Sequence, residues 1–135
     1  MRKGFLRIID VNLNRSREGL RVCEEIVRFV VEDAKLTGEF KALRHRISRI
    51  IKKLPVSQER LLESRDTQTD VGRKVKSLTG RKNYKDLFSA NIQRVKESIR
   101  VLEEFSSIFN QSFSNNFAQL RFKVYRLEKK TIARL

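Results

Sequence analysis

The chain has 135 residues, 39% of them hydrophobic, with one Pro, five Gly and one Cys, and its 31 Lys and Arg against 16 Asp and Glu leave a net charge of +15. That length supports one core without staples, and the lone Cys23 excludes an internal disulfide. No apolar run approaches a membrane span or a signal-peptide core, so a cytoplasmic chain is expected; the charge admits nucleic acid, an anionic membrane surface or phosphorylated small molecules as partners, of which no membrane partner is expected.

The scarcity of Pro and Gly, with Leu, Ile, Val, Arg, Lys and Glu dominant, predicts an all-α protein. Ile9, Leu13, Leu20, Cys23, Val27 and Val30 fall at three-and-four spacing, widened by Val22, Ile26 and Phe29, which predicts a first long helix from about Asp10, its N-cap, to about Asp33. Thr37 is read as the cap of a second, with Phe40, Leu43, Ile47, Ile50 and Leu54 inward and Pro55 at its end. "SQERLLES" reads as a short helix. "RDTQTDVGRKVKSLTGRKNYK" then mixes turn formers with charge, and residues 73–85 hold six Lys or Arg and no acid. Periodicity resumes near Asp86 with Leu87, Ile92, Val95, Ile99, Leu102 and Phe109. After the break "NQSFSNN" comes a last helix carrying Phe113, Phe117, Leu120, Val124 and Leu127, with Phe122 and Tyr125 also read as core.

The stretch "NLNRSREGLRVCEE" returns as "NIQRVKESIRVLEE", with Asn12, Arg15, Glu18, Arg21, Val22, Glu24 and Glu25 recurring as Asn91, Arg94, Glu97, Arg100, Val101, Glu103 and Glu104. "FKALRHRISRI" echoes as "FAQLRFKVYRL". The expected architecture is therefore one helical domain over residues 1–135. It is a pseudo-twofold bundle of two helical hairpins, four main helices in all, with repeats at 10–54 and 86–134 and a central basic loop within 55–85.

On a helical projection Glu24 and Glu25 fall on the solvent side, as do Glu103 and Glu104. Asn12 and Arg15 fall inside the apolar sector, with the small Gly19 one turn on, and Asn91, Arg94 and Ser98 repeat the arrangement. An inward guanidinium needs a partner. Pairing with Glu18 and Glu97 would close the end of the bundle. A bound anion would instead make a pocket in which the small positions leave room for a planar ligand. The unrepeated "RDTQTDVG" supplies Arg65 and Thr67, phosphate-binding types, Asp66 and Asp70, Mg²⁺-binding types, and Gly72, which lets backbone approach a ligand; its ordinary reading is an Asx turn with a structural Arg. No GxxxxGK[ST] stretch exists, so a P-loop is excluded. Cys23 reads as packing, and His45 has no metal partner in kind.

"IIDVNLNRSREGLRVCEEIVRFVVED", "KALRH", "LLESRDTQTDVG", "ANIQRVKESIRVLEEF" and "LRFKVYRLEKK" together resemble the small hydroxymethylpyrimidine-phosphate kinase family of thiamin biosynthesis, found alone or fused ahead of thiamin-phosphate synthase. The resemblance spans residues 8 to about 130. It implies an ATP-dependent phosphotransferase using ATP and Mg²⁺ to convert hydroxymethylpyrimidine monophosphate to the diphosphate, here as a monofunctional chain. Asn12, Arg15, Arg65, Asp66, Thr67, Asp70, Gly72, Asn91 and Arg94 match its motif positions. On that reading Arg15, Arg65 and Arg94 clamp phosphate, Asp66 or Asp70 holds Mg²⁺, Asn12 and Asn91 read the pyrimidine edge, and the 65–72 loop covers the pocket.

Two alternatives stand beside it. The first is a nucleic-acid-binding protein using Arg44, Arg46, Arg49, Lys52 and Lys53 with Arg121, Lys123, Arg126, Lys129 and Lys130; the absence of an aromatic platform counts against it. The second is a non-catalytic module that docks onto thiamin-phosphate synthase. Pairing into a homodimer is compatible with each.

Overall fold

The computed structural model describes residues 3–73 and 80–135, so the centre of the basic run expected at 73–85 lies outside the described residues. The described residues are helical, with no strand: α1 (Lys3–Phe29), α2 (Ala34–Lys53), α3 (Gln58–Ser64), α4 (Tyr84–Ser106) and α5 (Gln111–Ile132). Five helices thus stand where four main ones and a short segment are expected.

Asp10 does not cap α1, which starts two turns earlier and buries that residue. The chain leaves α1 through Glu32, at φ 58, the one non-glycine residue with positive φ among those described. Asp33, not Thr37, caps α2: its carboxylate accepts from Leu36 N at 2.9 Å, and the Thr37 hydroxyl donates back to Asp33 O. Ser57, Asn83 and Asn110 cap α3, α4 and α5 in the same way, each side-chain oxygen accepting from backbone N–H groups of the first turn. Gln111, expected in a break, is already helical because Asn110 supplies the cap.

Each of the four long helices packs on two others, α1 on α2 and α4, α5 on α4 and α2, while α3 leans on α1. Their inward faces supply a continuous core in which Phe40, Phe88 and Phe117 are fully buried, Phe40 and Phe88 meeting edge to face at 6.1 Å. Phe29 and Val30 fall at the end of α1 and are exposed. Phe122 and Tyr125 lie on the outer side of α5, 58% and 43% exposed, so the expected aromatic core run reduces to Phe117 with Phe113 at its edge.

Glu24 and Glu103 correct the solvent-face reading. Glu24 is 3% exposed and accepts from Arg21 Nη1 at 2.7 Å and from Arg44 of α2 at 3.4 Å. In the second hairpin Glu103 holds Arg100 at 3.4 Å and accepts from Arg121 Nε of α5 at 2.9 Å. Glu24 and Glu103 are pins between neighbouring helices, whereas Glu25 and Glu104 pair only within their own helices.

Candidate functional site

The close approach of α1 and α4 begins with Gly19. A Cβ there would lie 2.6 Å from Val95 Cγ2 and 3.1 Å from the Asn91 carbonyl. Its missing side chain admits the neighbouring helix, and both Gly19 and Ser98 also line the groove that opens beside this contact. Ser98, its counterpart, is buried and donates to Val95 O.

Beside this crossing the two helices flare into a groove of about 720 Å³ that receives Asn12, Arg15, Asn91 and Arg94 together. Asn12 is 3% exposed and donates from Nδ2 to Ile8 O at 2.9 Å; Asn91 repeats this with Leu87 O, also at 2.9 Å. Each amide is thereby oriented by its own helix. Val11, Val22 and Val101 supply apolar wall.

Arg15 and Arg94 are exposed at the rim and not turned into the core, because each lies beyond the line of contact between α1 and α4. Neither makes an ion pair or hydrogen bond among the described residues. Glu18 and Glu97 line the same groove without closing on them, and Glu97 accepts from Gln93 Nε2. The structural pairing considered from the sequence is therefore absent among the described residues, and two guanidinium groups stand without a direct ion-pair partner on the two walls of one groove.

The 65–73 loop does not cover this groove. It forms an adjoining hollow of about 460 Å³ that shares Val11, Asn14, Arg15 and Glu18 with the groove and brings in Arg65, Asp66, Thr67 and Asp70. Arg65 is held in two-pronged fashion by Asp10, Nε to Oδ2 at 2.9 Å and Nη2 to Oδ1 at 3.0 Å. Those hydrogen bonds raise the Arg65 guanidinium above its ordinary pKa, so it is a permanent cation. Arg7 donates to the Asp66 carbonyl at 3.0 Å and ties the loop to α1 a second time.

Asp66 and Asp70 turn their carboxylates onto their own loop. Asp66 accepts from Thr69 N and Thr69 Oγ1, which hold it below the usual carboxylate range, and Asp70 accepts from Gly72 N at 2.9 Å. Among the described residues no group of three or more His, Cys, Asp or Glu is placed to hold a metal ion, so the pair expected to bind Mg²⁺ has no third acidic partner. Thr67 is exposed in the hollow, whereas Gly72 lines neither cavity and has no positive φ, so nothing there requires a glycine. Asp10, Arg7 and Asn14 are additions to the predicted set, and no local signal marks them. Asp10 earns its place only through a residue 55 positions away. Cys23 is buried in the core, which pushes its thiol up to about 12 and leaves it inert at neutral pH.

Fold and site together define an all-helical domain with an open groove of mixed charge between its two most extensively packed helices. Residues 7–130 match the ThiD2 family, and the chain belongs to that family. Among its relatives, a thiamine-phosphate synthase of Synechocystis is 40% identical over 124 residues, 90% of this chain and 34% of that protein. A thiamine-phosphate synthase of Thermosynechococcus vestitus is 38% identical over 91% of the chain and 34% of its own length, and one of Rhodopirellula baltica 33% over 89% and 32%. The chain spans about a third of the length of the curated relatives it matches. No solved structure matches it. The relatives carry the name of a synthase and not of a kinase, which overturns the expected ATP-dependent phosphotransferase; the alternative of a docking or non-catalytic module accords better with a match confined to a third of each relative. No helix among the described residues is long and apolar enough to cross a membrane.

Proposed function

We propose that the chain is a non-catalytic helical module of thiamin biosynthesis that docks onto thiamine-phosphate synthase and presents a groove for a small phosphorylated pyrimidine. The observation that carries the docking reading is the match of some nine-tenths of this chain to only a third of proteins bearing the synthase name. The groove supports the ligand reading: Arg15 and Arg94 face it from opposite walls and neither closes an ion pair with Glu18 or Glu97 of the same lining, which leaves both guanidinium groups open to a phosphate, while Asn12, Asn91, Glu18 and Glu97 offer polar groups to an amino-bearing ring. The duplicated Glu24–Arg44 and Glu103–Arg121 pins support an approximate twofold relation between the hairpins, which would give the groove two similar walls.

Sedimentation of the purified chain with the synthase of the same organism is expected to show a complex. Calorimetry with the pyrimidine monophosphate is expected to show saturable binding, weakened about tenfold or more in R15A/R94A with an unchanged melting temperature. Absence of a complex removes the docking reading. Formation of the diphosphate with MgATP removes the non-catalytic one.

A further inference from the structure

On the far side of the bundle from the α1/α4 groove, α2 and α5 enclose a second, narrower one of about 330 Å³. The two helices run antiparallel there, since Arg46 Nη2 donates to Gln119 Oε1 at 3.0 Å while Lys130 lies 3.6 Å from Glu39. Those two contacts set the order of cations along the groove as Lys130, Arg126, Lys123, Arg46 and Arg49, spread over about 15 Å of helix. Glu39 is the one acid of the lining and stands at the Lys130 end. Arg49, Lys123 and Arg126 are exposed and make no ion pair among the described residues, and Arg46 meets only a neutral amide. Like charges converging on one concavity raise the folded chain's energy, so a complementary anion stabilises this face.

The shape of the track selects the anion. Five cations in file exceed what one phosphate can satisfy. The floor is Ala42, Leu43 and Leu127, with no aromatic ring in the lining on which a base could stack, which disfavours single-stranded nucleic acid. Leu43 and Leu127 are buried, so no apolar side chain projects from the groove to enter a lipid surface. A second copy would set cations against cations. An extended peptide advances about 3.3 Å per residue, so about five residues follow the track, and carboxylates suit the forked donors of Arg46, Arg49 and Arg126.

We infer that the α2/α5 groove is a docking track for an acidic, extended segment of a partner protein. The inference deepens the docking reading and rests on it for the partner's identity: the segment belongs to the synthase. The test is fluorescence anisotropy of the full chain with a labelled glutamate-rich peptide and with a single-stranded oligonucleotide of equal charge, alongside sedimentation with the synthase. The expected result is saturable peptide binding that falls with salt, is weakened about tenfold in R49E/R126E, and changes less than about twofold in R17E/K35E, which alters net charge equally outside the groove. If the reversal unfolds the chain by circular dichroism, R49Q/R126Q replaces it. Equal loss in both double variants, tighter binding of the oligonucleotide, or no peptide binding overturns the inference. A synthase complex indifferent to R49E/R126E also overturns it while leaving the docking reading intact, whereas peptide binding without any synthase complex removes the docking reading alone.

Discussion

The carboxylate of Glu24 is shared by Arg21 of its own helix and Arg44 of the next, with almost no water around it. Replacing it with Gln strands a half-buried guanidinium. The expected loss is about 2 kcal/mol, below the range for breaking a fully buried pair because Arg21 stays solvated, and urea denaturation followed by circular dichroism measures it. Gly19→Ala gains about 1 kcal/mol of helix propensity but drives a Cβ into Val95 and the Asn91 carbonyl; a net loss of about 1–2 kcal/mol is expected in the same assay. A helical projection cannot rank these residues. It shows direction from one axis, and both Glu24 and Gly19 acquire their meaning from the helix lying alongside. The pairing of Asn12 with Arg15, and of Asn91 with Arg94, was legible because it is written twice; the state of the guanidinium groups was not, because rim and core differ by a few ångströms of tertiary placement.

Among the elements, ends are set by single residues. Glu32 adopts a left-handed conformation that a side chain disfavours, so Glu32→Gly is expected to raise stability by about 1 kcal/mol, read as a higher melting temperature. Asn110 accepts from both Ser112 N and Phe113 N, and Asn110→Ala is expected to cost about 1 kcal/mol with loss of helicity at the start of α5. The caps at Asn83, Asn110 and Ser57 lie at turn-like residues preceding apolar runs, and such sites are readable from sequence to within a turn. The start of α1 was misplaced because Asp10 looks like a cap when its distant partner Arg65 is unknown. Its pairing makes the 65–73 loop an extension of α1, so Asp10→Asn is expected to speed amide hydrogen exchange in that loop more than in the core helices.

Across the whole molecule the charge is unevenly compensated, with pinned acids between helices and free cations on the α2/α5 face. The acid side of the stability profile follows from the depressed carboxyls. Asp33 is lowered chiefly by the Leu36 N–H and then by Arg134, and Asp66 chiefly by Thr69. A carboxyl whose folded pKa lies below its unfolded value contributes stability above the unfolded value and loses it as pH falls through the folded one. Denaturation midpoints should therefore hold steady above about pH 4 and fall below it, and Asp33→Asn should flatten part of that decline. The order of the helices, the inward positions of Phe40, Ile47, Ile92, Ile99 and Leu120, and the repeated motif were legible in the sequence alone, because periodicity and repetition are local properties of the chain. Which acids became pins, why Gly19 is small, that the loop stands beside the groove, and that Arg15 and Arg94 lack protein partners were decided only when the hairpins packed, because each depends on distances between residues far apart along the chain.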